Sequence, residues 1–246
     1  MTDTIDVLAA IQEDSYRWGD LQVLRYDKSK TDLWPEDYLV HLYNRCRESR
    51  RRSGDGILSA TFGGNPASDF NSIITYLAQR PALLILGKWT DEQFVEMGFA
   101  FPTVSLGFAA TEKALVAGYA FFKEAWSTED QQILTMLGLA YMFKEFDLVA
   151  VHGNRYPDNV LTAKFMARFG FKDVGELPRF QVRGTKMVSM VLSSLLKEDF
   201  EAYVAEFLVS QYRAANPESE FVEPVTIVET EPPAEQEQPY LPLSWL

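Results

Sequence analysis

The sequence has very few metal-binding or disulfide-forming side chains. A single cysteine, Cys46, excludes an internal disulfide and any cysteine-based metal cluster. His41 and His152 are too few for a histidine-rich site, so metal chemistry is not expected. No apolar run approaches the ~18 residues needed to cross a bilayer. The start "MTDTIDVLAA" lacks the basic and apolar segments of a secretion signal. We therefore expect a globular, cytoplasmic protein without a membrane role.

Basic residues are absent from the last part of the chain. No lysine or arginine follows Arg213, whereas seven glutamates do, so more than half of the formal net charge of −12 lies in this tail. An acidic chain repels nucleic acid, and a nucleic-acid partner is therefore not expected. The remaining feature that favours such a partner is an arginine-rich helix end, described below.

The tail also contains six of the twelve prolines, counted from Pro217 onward. This composition predicts an extended segment without a packed core. Its end, "PYLPLSWL", is typical of a peptide that docks in a groove. Docking onto the chain's own body is the alternative. The apolar residues that would bind a protein partner are Tyr240, Leu243, Trp245 and Leu246. We predict an N-terminal segment (1–55) within the same domain, a core with a C-terminal helix (56–213), and the tail (214–246).

A helix is predicted over "PEDYLVHLYNRCRESRRR", with Pro35 suited to its first turn and Gly54 to its end. Its C-terminal part is rich in arginine. Basic side chains favour a helix C-terminus through the helix dipole, so a solvated helix end is one interpretation. The other is a patch for phosphates or an acidic partner, formed by Arg47, Arg50 and Arg51.

The middle of the chain predicts an α+β fold. "ALLILGKW", "FVEMGFAF", "TVSLGF" and "ALVAGYAFF" are short, glycine-punctuated runs of aromatic and branched residues, which indicates an antiparallel meander. Phe99 and Phe101 would share one strand face and belong to the core. A second helix is predicted from Ser68 to Arg80.

Helices and strands alternate after the meander. "TEDQQILTMLGLAYMFKEF" predicts a helix, "DLVAVH" a strand and "NVLTAKFMARFGF" a helix that closes on Gly170. The runs "RFQVRG" and "KMVSMVLSSL" predict two final strands, followed by an amphipathic helix. The expected result is a mixed central sheet flanked by helices.

The stretch from Val116 to Leu195 resembles the GNAT superfamily of N-acetyltransferases, especially its ribosomal-protein N-terminal acetyltransferase branch. "AGYAFF" is similar to the strand before the family's central helix, and "NVLTAKFMARFGFKDVGELP" to its N-x-x-S/A, GF and G pattern. The matching residues are Asn159, Gly170, Phe171 and Gly175, with Thr162 in place of Ser or Ala. The resemblance implies a GNAT-like mixed sheet: antiparallel meander, then βαβα and a final hairpin.

The resemblance also implies a place for coenzyme A between two diverging parallel strands. Family members hold its pyrophosphate on the amides of an R/Q-x-x-G-x-G/A loop at the start of the central helix. Free N–H groups at a helix N-terminus attract an anion, and glycine lets the backbone come close. In "EAWSTEDQQIL" these places fall on Glu124, Ser127 and Glu129, and none of them matches.

The same stretch has the pattern of a self-capped helix start. Thr128 with Gln131 fits the capping box. Carboxylates of Glu129 and Asp130 would oppose phosphate by about 1 kcal/mol per pair in solvent. The family's cofactor-binding positions correspond here to Ser127, Thr128, Glu129, Asp130 and Asn159.

The catalytic positions also differ from those of many family members. The tyrosine that acts as general acid, four residues before the Gly of "GF", is replaced by Met166. His152, placed at the end of a strand, and Glu124 are the candidates for a general base. A histidine at a strand end is also a common hydrogen-bonded structural residue.

Two functions follow from these observations. The first is a GNAT-fold protein with a degraded pyrophosphate loop, no cofactor, and a non-catalytic role in protein interaction or assembly. Its partner would bind the C-terminal peptide, or the chain would form a homo-oligomer. GNAT-like proteins of this kind occur in tailed phages, so a structural role in a virion is among the functions that the resemblance implies. The alternative is an active acetyl-CoA-dependent N-acetyltransferase that acts on a protein N-terminus or a small amine.

Overall fold

A single sheet organises the computed structural model, which describes residues 16–27, 29, 34–48, 82–91, 93–103, 113–126, 128–183 and 186–215. Its strands are β1 (Arg17–Trp18), β2 (Leu21–Arg25), β3 (Leu84–Thr90), β4 (Gln93–Thr103), β5 (Ala114–Phe121), β6 (Ala150–Arg155), β7 (Lys172–Arg183) and β8 (Lys186–Leu196). The helices are α1 (Tyr38–Glu48), α2 (Glu129–Glu145), α3 (Val160–Arg168) and α4 (Lys197–Ala215), with a 3₁₀ turn at Lys123–Ala125.

The strand order is β1-β2-β3-β4-β5-β6-β8-β7. Strands β1 to β5 form an antiparallel meander, β5 and β6 are parallel, and β8 is antiparallel to both β6 and β7. This order confirms the predicted α+β class and the sequence of meander, βαβα unit and final hairpin.

Two strands extend beyond their predicted limits. β7 begins at Lys172 rather than near Arg179, since its pairing with β8 continues past two register shifts, one at Val174 and one over residues 178–180. β6 continues to Arg155 because Gly153 and Asn154 pair with β8. The prediction that His152 ends its strand is therefore wrong: it lies inside β6. The predicted helix from Ser68 to Arg80 and most of "TVSLGF" lie outside the described residues.

The core has two layers because alternate strand residues face opposite sides of the sheet. One cluster joins Leu84 and Leu86 to α2 and α4. The other joins Ile85, Phe99 and Phe101 to α1. Phe99 and Phe101 are fully buried and stacked with ring centroids 6.1 Å apart, which confirms their predicted place in the core.

The chain divides into one unit of Met1–Leu208 and a second of Val209–Leu246, of which the end of α4 is described. The domain limits read from the sequence stay a prediction. Among the helices that the structure describes, none is both long and apolar enough to cross a membrane.

Gly118 of β5 lies directly against a core ring. A Cβ atom there would be 2.5 Å from Cζ of Phe101, which is nearly fully buried. We expect Gly118→Ala to lower the free energy of unfolding by about 1–3 kcal/mol, because the packed ring has no room to move. Urea denaturation at neutral pH measures this loss.

Gly175 of β7 provides the matched control, since a Cβ there would meet no atom within 4 Å. Gly175→Ala should change the free energy of unfolding by less than about 0.5 kcal/mol. Equal effects of the two substitutions would contradict the packing of β5 against Phe101.

Candidate functional site

The parallel strands β5 and β6 diverge after a short paired section. Ala114, Leu115 and Val116 pair with Ala150, Val151 and His152. Beyond these pairs, residues 117–121 of β5 and 153–155 of β6 have no ladder partner across the gap. The two strands therefore leave an opening in the sheet, bounded by backbone edges that can form hydrogen bonds.

A cavity of about 220 Å³ occupies this opening. Most of its wall is apolar, and polar groups come from the first turns of α2 and α3 and from the end of β6. The described residues that line it are Ala117, Gly118, Tyr119, Ala120, Phe121, Trp126, Gln131, Thr135, Gly153, Asn154, Arg155, Tyr156, Asn159, Thr162, Phe165, Met166, Phe169, Phe171 and Met190.

The turn between β5 and α2 is closed by its own hydrogen bonds. The amide of Ala125 donates to the carbonyl of Phe122 (3.0 Å), and that of Trp126 to Lys123 (3.3 Å). The indole Nε1 of Trp126 donates to the carbonyl of Phe121 (2.8 Å), the last residue of β5. This bond holds the indole at the cavity wall.

The start of α2 is capped by a side chain, as the sequence predicts. Oγ1 of Thr128 accepts a hydrogen bond from the amide of Gln131 (3.1 Å) and donates to the carbonyl of Ala125 (2.8 Å). The amide of Thr128 donates to the same carbonyl (3.3 Å). Gln131 then turns its side chain to the cavity, and hydroxyl Oγ1 of Thr135 donates to the carbonyl of Gln131 (2.8 Å).

Two acidic residues of this region are paired with cations outside the cavity. Glu124 lies 3.8 Å from Arg45, whose guanidinium stacks 4.6 Å from the ring centre of Phe122. Asp130 lies 3.6 Å from Lys88. Lys88 also contacts Asp20 at 3.3 Å, and both carboxylates raise the pKa of its ammonium group. The negative charge near the start of α2 is therefore partly offset.

The opposite side of the cavity is formed by the end of β6 and the start of α3. Asn159 caps α3, since its Oδ1 accepts a hydrogen bond from the amide of Thr162 (3.2 Å). Arg155 donates from Nη2 to Oδ2 of Asp173 (2.6 Å). Oδ1 of Asp173 accepts from Ser193 (2.6 Å), and these two hydrogen bonds lower the pKa of the carboxyl group.

The candidate site brings together only some of the residues predicted from the sequence. Asn159 and Met166 line the cavity, while Thr128, Glu129 and Asp130 open the helix beside it. The remaining predicted positions, Ser127, Arg50, Arg51, Tyr240, Leu243, Trp245 and Leu246, lie outside the described residues, and of Arg47 only the backbone is described.

Three wall residues were missed by the sequence reasoning. Trp126 lies within "EAWSTEDQQIL", and an aromatic residue beside the start of a helix could have indicated a cavity wall. Arg155 comes three residues after the predicted strand, and its partner Asp173 is brought close to it only by the order of the sheet. Tyr119 was interpreted as an ordinary strand residue; its hydroxyl lies 3.5 Å from the carbonyl of Thr135 on α2.

His152 does not line the cavity. It sits between Val116 of β5 and Ser194 of β8, and within the described part of the chain its Nδ1 is buried without a hydrogen-bond partner. Burial lowers the pKa of the imidazole. A neutral, partly buried histidine inside a strand is consistent with a structural residue.

The fold is similar to solved acetyltransferase structures, whereas no family model and no curated protein sequence matches the chain. The ribosomal-protein-S5-alanine acetyltransferase of Vibrio fischeri aligns with a TM-score of 0.53 at 15% identity, covering 76% of this chain and 98% of that one. Spermidine N-acetyltransferase of Vibrio cholerae, in complex with CoA and spermine, gives 0.56 at 13%, covering 74% and 98%.

Mycobacterium smegmatis RimJ, in complex with CoA-disulfide, gives a TM-score of 0.51 at 15% identity, covering 78% of this chain and 90% of that one. Identities this low show the fold alone. The chain therefore has the GNAT fold, which confirms the resemblance stated from its sequence.

The lowered pKa of His152 predicts a loss of stability in mild acid. The unfolded chain binds a proton at His152 more readily than the folded chain, so stability is complete above about pH 6.5 and falls as the pH decreases below it. His152→Gln should remove this part of the decline. Urea denaturation between pH 5 and 8 measures it.

His41→Gln is the control, because it keeps His152 and should keep the decline due to that residue. Parallel pH profiles for the unmodified protein and His152→Gln would show that the imidazole is equally accessible to protons in both states.

Proposed function

We propose that this chain is a non-catalytic GNAT-fold protein that does not bind coenzyme A through a pyrophosphate loop and acts by binding a protein partner. The observation that carries the proposal is the capped start of α2. The amide of Gln131 is already bonded to Thr128, and the amides of Ala125, Trp126 and Thr128 are bonded within the turn. An anion would have to displace these bonds, whereas a phosphate loop offers free N–H groups.

The charges beside α2 support the same conclusion. A pyrophosphate there would approach Glu124, Glu129 and Asp130. Lys88 and Arg45 offset two of these carboxylates without adding a net positive charge. Each like-charged pair at 4 Å in water contributes a repulsion of about 1 kcal/mol. Coenzyme A therefore does not fit this end of the cavity.

The positions that would move protons support a non-catalytic role as well. Met166 lines the cavity where many family members have a tyrosine, and a thioether has no proton to donate. Glu124 is engaged with Arg45 on the opposite side of the turn. His152 is not among the described residues that line the cavity.

The open strand edges favour the second candidate function, an acetyl-CoA-dependent N-acetyltransferase acting on a protein N-terminus or a small amine. Residues 117–121 of β5 keep their free edge and the cavity remains open beside them. The Vibrio cholerae and Mycobacterium smegmatis structures hold CoA or CoA-disulfide. In this candidate acetyl-CoA would be bound without the usual phosphate contacts.

The partner in the first candidate is a protein, and the C-terminal peptide with Tyr240, Leu243, Trp245 and Leu246 is the segment we propose for contact. Arg47 of α1 and the arginines that follow it in the sequence, Arg50 and Arg51, would bind an acidic surface. A second copy of the chain is one partner that both features fit. We place this activity in the cytoplasm or in an assembled virion, and not on nucleic acid.

Calorimetric titration with acetyl-CoA separates the two candidates. The unmodified protein should show no binding tighter than about 1 mM, because the amide of Gln131 and those of the preceding turn are already hydrogen-bonded. A Ser127→Gly, Glu129→Gly variant should gain at least about tenfold in affinity, since it restores glycine at both family positions and removes one charge.

Glu198→Gly is a control for the loss of a charge at the start of a different helix, α4, and should leave acetyl-CoA binding unchanged. Micromolar binding of acetyl-CoA by the unmodified protein would refute the proposed function and favour the N-acetyltransferase.

Removal of residues 239–246 tests the contact through the tail. The shortened chain should lose self-association, or binding of an isolated partner, while its midpoint of thermal unfolding stays within about 2 °C, because the proposal assigns the peptide to a partner and not to the core. Sedimentation velocity measures the first quantity and circular dichroism the second.

Trp245→Ala should reproduce the loss in part, and Gln238→Ala should not. A change confined to thermal stability would mean that the peptide packs on its own chain and that no partner binds it.

A further inference from the structure

The cavity between β5 and β6 has one charged group in its wall. Among the described lining residues, Arg155 alone carries a formal charge, while the others are apolar, aromatic, amide or hydroxyl side chains. Its side chain is only 10% exposed. A charge so far removed from solvent interacts more strongly with an opposite charge than one on the surface.

Arg155 is held in place from outside the cavity. Asp173 accepts one hydrogen bond from Nη2 through Oδ2, and its second oxygen is bonded to Ser193, which is buried. Asp173 therefore binds Arg155 through one of its two carboxylate oxygens. A guanidinium has five N–H donors in a plane and takes carboxylates in a two-point geometry, so Arg155 retains donors for a second anion.

The remaining wall suits an apolar body. Phe165, Met166 and Phe171 form one side, and Tyr119 and Trp126 contribute aromatic surface from the other. The cavity volume of about 220 Å³ admits a ligand of amino-acid size.

The free strand edge favours a ligand that contains an amide group. Residues 117–120 of β5 have no strand partner on the side of β6, so the N–H and C=O groups that point to that side can bond a ligand that both donates and accepts. The carbonyl of Phe121 is bonded to Trp126. An amide group satisfies both needs, in the way that a peptide adds to a sheet edge.

We propose that the cavity binds an apolar N-acyl amino acid, or the C-terminal residue of a peptide, with its carboxylate on Arg155. The apolar side chain lies against Phe165 and Phe171, and the amide pairs with the edge of β5. This proposal rests on the proposed function in one respect, namely that coenzyme A is not the ligand of the cavity.

The test compares an acid with its uncharged analogue on the full-length protein. N-acetyl-leucine should bind with a dissociation constant on the order of 1 mM or lower, and N-acetyl-leucinamide at least about tenfold more weakly, because the amide cannot form the two-point contact. Isothermal titration or ligand-observed NMR measures both constants.

Two variants separate ligand binding from a structural role of the pair. Arg155→Gln should abolish the difference between acid and amide. Asp173→Asn keeps the guanidinium and releases it from a competing carboxylate, so it should preserve the difference or enlarge it. Both variants lose the same ion pair, and circular dichroism shows whether each is folded.

The source of the carboxylate is distinguished by a hexapeptide ending in leucine with a free carboxylate. Binding tighter than that of N-acetyl-leucine assigns the cavity to peptide C-termini, and equal or weaker binding assigns it to free acids. Three results would each overturn the proposal. They are equal affinity for acid and amide, no binding of the acid at a concentration about ten times its expected dissociation constant, and equal losses of affinity in the two variants. Titration with acetyl-CoA fails or succeeds separately, so the two proposals are tested independently.

Discussion

The divergence of β5 and β6 is the constraint on which the cleft depends. Parallel strands that stay paired satisfy each other's backbone groups, but here pairing stops at Val116 and His152. Beyond this point the backbone N–H and C=O groups that face the opening need water or a ligand, since leaving a polar group unbonded away from water costs about 1–3 kcal/mol. The side chains around them are mostly apolar or aromatic. The opening is thus polar along its backbone and apolar along its walls, which suits a ligand with an amide and an apolar body.

The start of α2 meets the same hydrogen-bond requirement by local means. Thr128 satisfies one of the helix's unpaired amides, and the preceding turn bonds its own amides to Phe122, Lys123 and Ala125. A helix start with these bonds no longer depends on an anion to complete it. The sheet opening and the helix start are therefore separate features, because the first depends on strand pairing and the second on local hydrogen bonds.

Local features were predicted well from the sequence, and non-local ones were not. The hydrogen bond by which Thr128 caps α2 joins residues three apart, and the ring contact of Phe99 with Phe101 joins residues two apart. Both could therefore be predicted from spacing. The length of β6 was underestimated because Gly153 and Asn154 are typical turn residues, and their pairing with β8 overrides that preference. The contact of Arg155 with Asp173 depends on the strand order β6-β8-β7, which no periodicity contains.

The distribution of charge shows why the net charge of −12 does not describe the cavity wall. Asp130 contacts Lys88, and Glu124 contacts Arg45. On the other side, Asp173 contacts Arg155 and is about half exposed, so solvent screens its charge more than that of the guanidinium. Arg155 is the one described lining residue with a formal charge. This charge, rather than the net charge of the chain, is the basis for proposing a carboxylate ligand at the end of β6.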